Sequence, residues 1–79
     1  MTILYFGLAR DHAGISSEEI SGRESITLEM LWTMLIDRHP SLELSRRVSR
    51  VAVDMEYVND GALIPPNAEI AIIPPVAGG

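Results

Sequence analysis

Apolar residues recur along this chain with two different periods, and each period names an element. Leu28, Leu31, Trp32, Leu35 and Ile36 follow one another at i, i+3, i+4, i+7 and i+8, while Glu29, Thr33 and Asp37 fall on the opposite side. That spacing predicts an amphipathic helix. Thr27 is placed to cap its first turn, Ile26 and Leu31 stand where a hydrophobic staple needs them, and Pro40 forces an end near Arg38. Met30 and Met34 flank the apolar stripe and read as the edge of the core.

The remaining apolar runs are short, β-branched or aromatic, and bounded by turn residues. Ile3, Leu4, Tyr5 and Phe6 stop at Gly7 and read as a central strand with contacts on both faces. Residues 8–13 suit one helical turn ending at Gly14, and residues 15–21 a polar edge strand with Ile20 turned inward. A polar stretch carrying Arg46, Arg47 and Arg50 comes next. Val51, Ala52 and Val53 then face Glu56, Tyr57 and Val58 across Asp54 and Met55, a hairpin pattern. Asn59, Gly61, Pro65 and Asn67 supply turns, and residues 69–73 form a last strand that is apolar on both faces from Ile70 to Ile73.

Strand, strand, helix, strand, strand, strand is the order of an α+β domain: one main helix laid on a mixed sheet of four to five strands. One helix covers one sheet face. Phe6, Tyr57 and Ile73 are the candidates for an apolar patch on the other, which suggests a protein partner, unless loops cover them.

Composition narrows the chemistry. The 79 residues hold one small domain without a linker, and no repeat. Eleven acidic residues against six arginines and no lysine leave a net charge of −5, which argues against nucleic acid as a partner. No lysine also means no side-chain amine for acylation, so an isopeptide acceptor would lie in another protein. No cysteine means no disulfide, thiolate metal site or side-chain thioester, and any sulfur is carried at the terminus. The apolar start is cut short by Arg10 and Asp11, and no run approaches the roughly 20 residues of a membrane span, so a cytoplasmic protein is expected.

Other constellations are weak. His12 and His39 stand alone without a ligand-spaced partner, so solvated or capping roles are expected and no metal site. None of the seven serines is framed by a nucleophile motif, and no active site of the chain's own is expected. Arg46, Arg47 and Arg50 read as a solvated face, and Arg10 as a surface ion pair with Asp11.

The tail is different. Pro74 and Pro75 donate no backbone hydrogen bond and stiffen the chain, so the sheet stops there and residues 74–79 form an extended tail beyond a domain of residues 1–73. Past the prolines, Val76, Ala77, Gly78 and Gly79 span about 13 Å when extended. Without Cβ atoms, Gly78 and Gly79 thread a narrow channel and leave the carboxylate open to ATP and to nucleophiles. At a glycine frequency of about 7%, a chance pair in the last two positions has odds of roughly 0.5%, which makes chance a poor account.

The run Ile73, Pro74, Pro75, Val76, Ala77, Gly78, Gly79 resembles the ending of the ubiquitin-like sulfur-carrier family, and within it the small subunits of molybdopterin synthase. The likeness extends through Tyr5, Phe6, Gly7, Leu8, Ala9, Arg10 and Asp11, through the stretch from Val51 to Val58, and through Glu69, Ile70 and Ala71. Asp54 stands where the family often has Asn, and Asn67 with Ala68 where it often has a turn Gly. The resemblance implies a β-grasp, ubiquitin-like fold. It implies that Gly79 is adenylated by an ATP-dependent, E1-like enzyme and converted to a thiocarboxylate with sulfur from a donor enzyme. The sulfur then passes to a pterin precursor in the large subunit of molybdopterin synthase, for molybdenum cofactor. Gly79 would be the sulfur-bearing residue and Gly78 its channel-threading neighbour, with Phe6, Arg10, Tyr57, Ile73, Pro74, Pro75, Val76 and Ala77 meeting the partners. No cofactor would be bound directly. Thiazole-pathway sulfur carriers and protein modifiers share the two glycines, and a plain interaction module using the sheet face is the alternative of another class.

Overall fold

The β-branched and aromatic runs pair into one mixed sheet, seen in a computed structural model that describes residues 1–75. β1 (Thr2–Tyr5), β2 (Ser17–Glu19), β4 (Arg50–Val53), β5 (Glu56–Tyr57) and β7 (Glu69–Ile73) lie in the order β2-β1-β7-β4-β5. Among the described residues only β1 and β7 run parallel, with Ile3 beside Ile70 and Tyr5 beside Ile72. β7 is the most hydrophobic strand and sits in the middle, between β1 and β4. Two further strands, β3 (Ile26–Thr27) and β6 (Leu63–Ile64), make a separate two-stranded sheet.

α2 (Leu28–Arg38) has the expected bounds. The Thr27 hydroxyl accepts the Met30 backbone N–H at 3.2 Å, which satisfies one orphan donor of the first turn. Leu28, Leu31, Trp32 and Leu35 are buried and share one core with Ile3, Tyr5, Val51, Ile70 and Ile72 from the facing side of the sheet. Met34 packs at the edge of that core, whereas Met30 is exposed and not part of it.

α1 (Gly7–Ala13) matches the helical turn foreseen before Gly14, whose φ of +78° gives the left-handed cap. Two other features differ from expectation. A third helix, α3 (Leu42–Arg46), lies in the stretch read as polar. It buries only Leu42 and Ser45. Two inward positions in five residues are too few to show a period. The chain therefore has three helices among its described residues, one of them long. The β3–β6 pair was also not foreseen, because two-residue strands carry no alternation to read. With its mixed five-stranded sheet and one main helix packed on it, the architecture is the β-grasp fold.

Candidate functional site

The last strand leaves the sheet from its centre, and the residues around that exit come from four elements. Ile73 pairs with Arg50 across to β4, and the Phe6 backbone N–H donates to the Ile72 carbonyl at 3.2 Å on the β1 side. Beyond Ile73 the chain meets Gly7. That glycine has φ +51°, and a Cβ built on it would lie 2.8 Å from Pro74 Cγ. Gly7 thus does two things: it turns the chain from β1 into α1 through a left-handed conformation, and it leaves room for the proline ring. Sequence reasoning saw Gly7 only as the end of a strand. Its contact with Pro74, 67 positions later by the numbering, arises from the parallel pairing of β1 with β7.

Alternation places the apolar candidates on one face. Tyr5 and Ile72 point to the core, so Phe6 and Ile73 turn to the opposite face. Tyr57 lies there too, since its partner Ala52 is in register with Ala71. Phe6 and Tyr57 are about half exposed, at 47% and 55%, and Ile73 is half-buried. The patch foreseen on the uncovered sheet face is thus present and open to solvent, and among the described residues no loop covers these side chains. Its middle is floored by the small residues Ala52 and Ala71, with larger side chains on either side. The Arg50 guanidinium stacks on Tyr57, 4.0 Å from the ring centroid, which orders both next to the exit.

Arg10 projects from α1 as an exposed residue, and among the described residues it forms no ion pair with Asp11 or any other carboxylate. The surface pair expected there is absent, since neighbouring helix positions diverge by about a quarter turn. Pro74 is half-buried and Pro75 exposed. Val76, Ala77, Gly78 and Gly79 lie outside the described residues.

At the other end of the same strand, the hairpin loop of Asp54 and Met55 has φ of +49° and +72° at its two residues. That is the geometry of a tight two-residue hairpin, which favours Asn, Asp and Gly. Asp54 also exchanges two bonds with Glu69: its N–H donates to the Glu69 carbonyl at 2.8 Å, and its Oδ1 accepts the Glu69 N–H at 2.9 Å. The loop thereby fixes where β7 begins.

The electrostatic centre of the fold lies around Glu18. Its carboxylate accepts from the Tyr5 hydroxyl at 2.9 Å and the Arg38 guanidinium at 3.0 Å, and contacts His39 Nε2 at 2.5 Å. Burial opposes its charge, but the bonds from His39, Tyr5 and Arg38 outweigh burial and hold it below the usual carboxylate value. Tyr5 is shifted the other way. Burial first, and then the Glu18 charge it donates to, push its phenol well above the ordinary range. His39 ends α2 through its backbone N–H, but its side chain is taken up by Glu18, and His12 Nδ1 bonds the fully buried Ser45 Oγ at 2.6 Å and ties α1 to α3, so both rings hold the fold together where solvated or capping roles were expected.

A mixed sheet in the order β2-β1-β7-β4-β5 with one long helix packed on it places the chain in the ubiquitin-like β-grasp class. Within that class the chain belongs to the ThiS family, whose model matches residues 3–79. It is 39% identical over 80 residues to the molybdopterin synthase sulfur carrier subunit of Homo sapiens, covering 98% of this chain and 91% of that one. To the subunit of the same name from Arabidopsis thaliana it is 32% identical, covering 98% of this chain and 80% of that one. Among solved structures it resembles a putative molybdopterin converting factor, subunit 1, from Pyrococcus furiosus, with a TM-score of 0.82 at 23% identity over 95% of each chain. SAMP1 from Haloferax volcanii superposes with a TM-score of 0.81 at 24% identity, covering 100% of this chain and 98% of that one. At those identities the structural likeness speaks for the fold.

Proposed function

We propose that this chain is the sulfur carrier and donor subunit of a molybdopterin synthase, with Gly79 as the residue that carries sulfur. The observation that carries the reading is its end-to-end similarity to proteins named molybdopterin synthase sulfur carrier subunit, over 98% of this chain. The geometry is compatible with it. A tail that leaves from the centre of a rigid sheet is anchored on both sides at its root, by Phe6 and by Arg50, so a partner that grips the sheet face also positions the residues beyond Pro75.

The chemistry asked of the tail is simple. The Gly79 carboxylate, ionised at neutral pH, attacks the α-phosphorus of ATP held by an activating enzyme; a C-terminal acyl-adenylate forms and pyrophosphate leaves. A sulfide-level nucleophile from a sulfur-donating enzyme then adds to the acyl carbon and expels AMP, leaving a thiocarboxylate. Gly78 and Gly79 let that group enter the large subunit, where it supplies dithiolene sulfur to a pterin precursor. Phe6, Tyr57, Ile73 and Pro74 dock these partners and Arg10 adds a charge at the rim, while ATP is bound by the activating enzyme alone. The reaction belongs to the cytoplasm; no helix among the described residues is long and apolar enough to cross a membrane.

Intact-mass measurement after incubating the chain with ATP, a sulfur source and the activating enzyme of its own organism tests this. The expected result is a gain equal to replacing one oxygen by one sulfur, abolished by deleting Gly79 or by adding one residue after it. No gain, with an enzyme competent on another carrier, overturns the reading in favour of a module that binds through the sheet face.

A further inference from the structure

The uncovered sheet face is apolar around the root of the tail except at one residue. Tyr5 pairs with Ile72 and Arg50 with Ile73, so Phe6, Ile73 and Arg50 stand in one row across β1, β7 and β4 where β7 ends. Neighbouring strands lie about 4.8 Å apart. Tyr57 follows on β5, and the Arg50 guanidinium lies 4.0 Å from the centre of its ring. Arg50 is therefore inside the patch, with Ile73 on one side of it and Tyr57 on the other. A partner surface that covers Ile73 and Tyr57 together covers Arg50 as well. The arginines that read as one solvated face in sequence thus separate in the fold: Arg46 and Arg47 close α3, which packs on α1 and α2, and Arg50 alone joins the aromatic face.

Covering Arg50 has an electrostatic consequence. Among the described residues no carboxylate lies within ion-pair distance of it. The acidic residues on its own face of the sheet are at the far end. Glu69 precedes Ile73 by four positions on β7, about 13 Å along the strand, and Glu19 is level with Glu69 through Thr2. Glu56 pairs with Val53 and so faces the other side. A guanidinium stays charged at any working pH, and a charge covered without a counter-charge opposes binding strongly. Stacking on an aromatic face occupies the plane of the group but not its N–H edge, the part that donates to a carboxylate through parallel bonds.

We propose, resting on the carrier reading, that Arg50 sets the specificity of this face: the large subunit of the synthase presents an aspartate or glutamate to it, and the pair fixes how the sheet, and with it the tail, is seated. The chain as a whole has a net charge of −5, so overall attraction favours a basic surface. An acidic side chain at the centre of the patch is a separate, local requirement, and it fixes register where overall charge does not. A surface with lysine or arginine at that point is turned away by like charge.

Calorimetric titration of the full chain into the large subunit from its own organism tests this. Arg50→Met removes the charge and keeps an unbranched, polarisable side chain on Tyr57. Its melting temperature should hold, while affinity should fall about tenfold or more, because the partner's carboxylate is left unpaired. Arg46→Met removes the same charge from an exposed residue off the face and should bind as the parent does. Among single Asp→Asn and Glu→Gln changes on the large subunit, one should weaken binding of the parent and leave binding of Arg50→Met unaltered, the signature of a direct pair. An equal loss in Arg46→Met, or no carboxylate coupled to Arg50, would overturn the proposal. A parent that binds and an Arg50→Met that binds equally well would remove the proposed pair and leave the carrier reading standing, whereas a parent that does not bind removes both.

Discussion

Gly7 is the residue on which the tail's exit depends. Its left-handed φ costs a side-chain-bearing residue roughly 1–2 kcal/mol, and a Cβ would also press on the Pro74 ring at 2.8 Å. Gly7→Ala should therefore lower stability by about 2 kcal/mol or more in denaturant melts. It should also slow activation of the tail more than an equally destabilising change in the core does. Gly14→Ala is the control. It has the same sign of φ but open space around it, so it should cost stability without touching activation.

Glu18 and Tyr5 set the two ends of the pH range. Glu18 has a folded value below its unfolded value of about 4.3, so its contribution is present above that value and is lost as pH falls through the lower folded one. Tyr5 is raised, so its contribution is present below its ordinary value of about 10 and is lost as pH rises beyond it. Melting temperatures measured from pH 2 to pH 6, on the order of the carboxylate range, should fall less steeply with acid in Glu18→Gln than in the parent. Parallel curves would remove Glu18 from the account of acid stability.

Among the elements, α2 owes its register to the cap and its stability to the buried stripe, and the two are separable. Thr27→Ala should cost about 1 kcal/mol, because the Met30 N–H loses its acceptor. Leu35→Ala should cost about 2–5 kcal/mol, because Leu35 is fully buried. Equilibrium unfolding of both variants checks the order. α2 was legible in the sequence because eleven residues display three turns of one period with a cap and a stop at its ends. α3 was not, since its burial rests on Leu42 and Ser45 alone, and Ser45 is inside only because His12 from another helix reaches its hydroxyl. Nor was the β3–β6 pair, whose existence depends on distant segments meeting: Thr27 pairs with Leu63, 36 positions on, and Ile26 with Ile64, 38 positions on, by the numbering.

For the molecule as a whole, the sheet divides the labour. One face is sealed by α2, and the other presents Phe6 and Tyr57 to solvent beside the strand that becomes the tail. If partners grip that face, Phe6→Ala with Tyr57→Ala should weaken binding to the large subunit of a molybdopterin synthase by about 2 kcal/mol or more, read by calorimetry. The melting temperature should change little, as both side chains are half exposed and make no buried hydrogen bond. Unchanged affinity would move the interface elsewhere.

The chain's own order of residues determined the elements whose signal is local: the helical stripe of α2, the apolar runs of β1, β4 and β7, the two prolines that stop β7 and the glycines after them. It pointed also to a sheet face that one long helix cannot cover, while the tertiary structure decided that no loop among the described residues closes over Phe6 and Tyr57. Only the tertiary structure decided which residues meet. Parallel pairing of the first and last strands brings Gly7 against Pro74, the fold of α3 brings Ser45 to His12, and the β4–β5 hairpin brings Arg50 onto Tyr57. The reason is physical. Periodicity and turn chemistry act between near neighbours and can be read along the chain, whereas contacts between distant residues depend on which strands share hydrogen bonds and which faces close on the core.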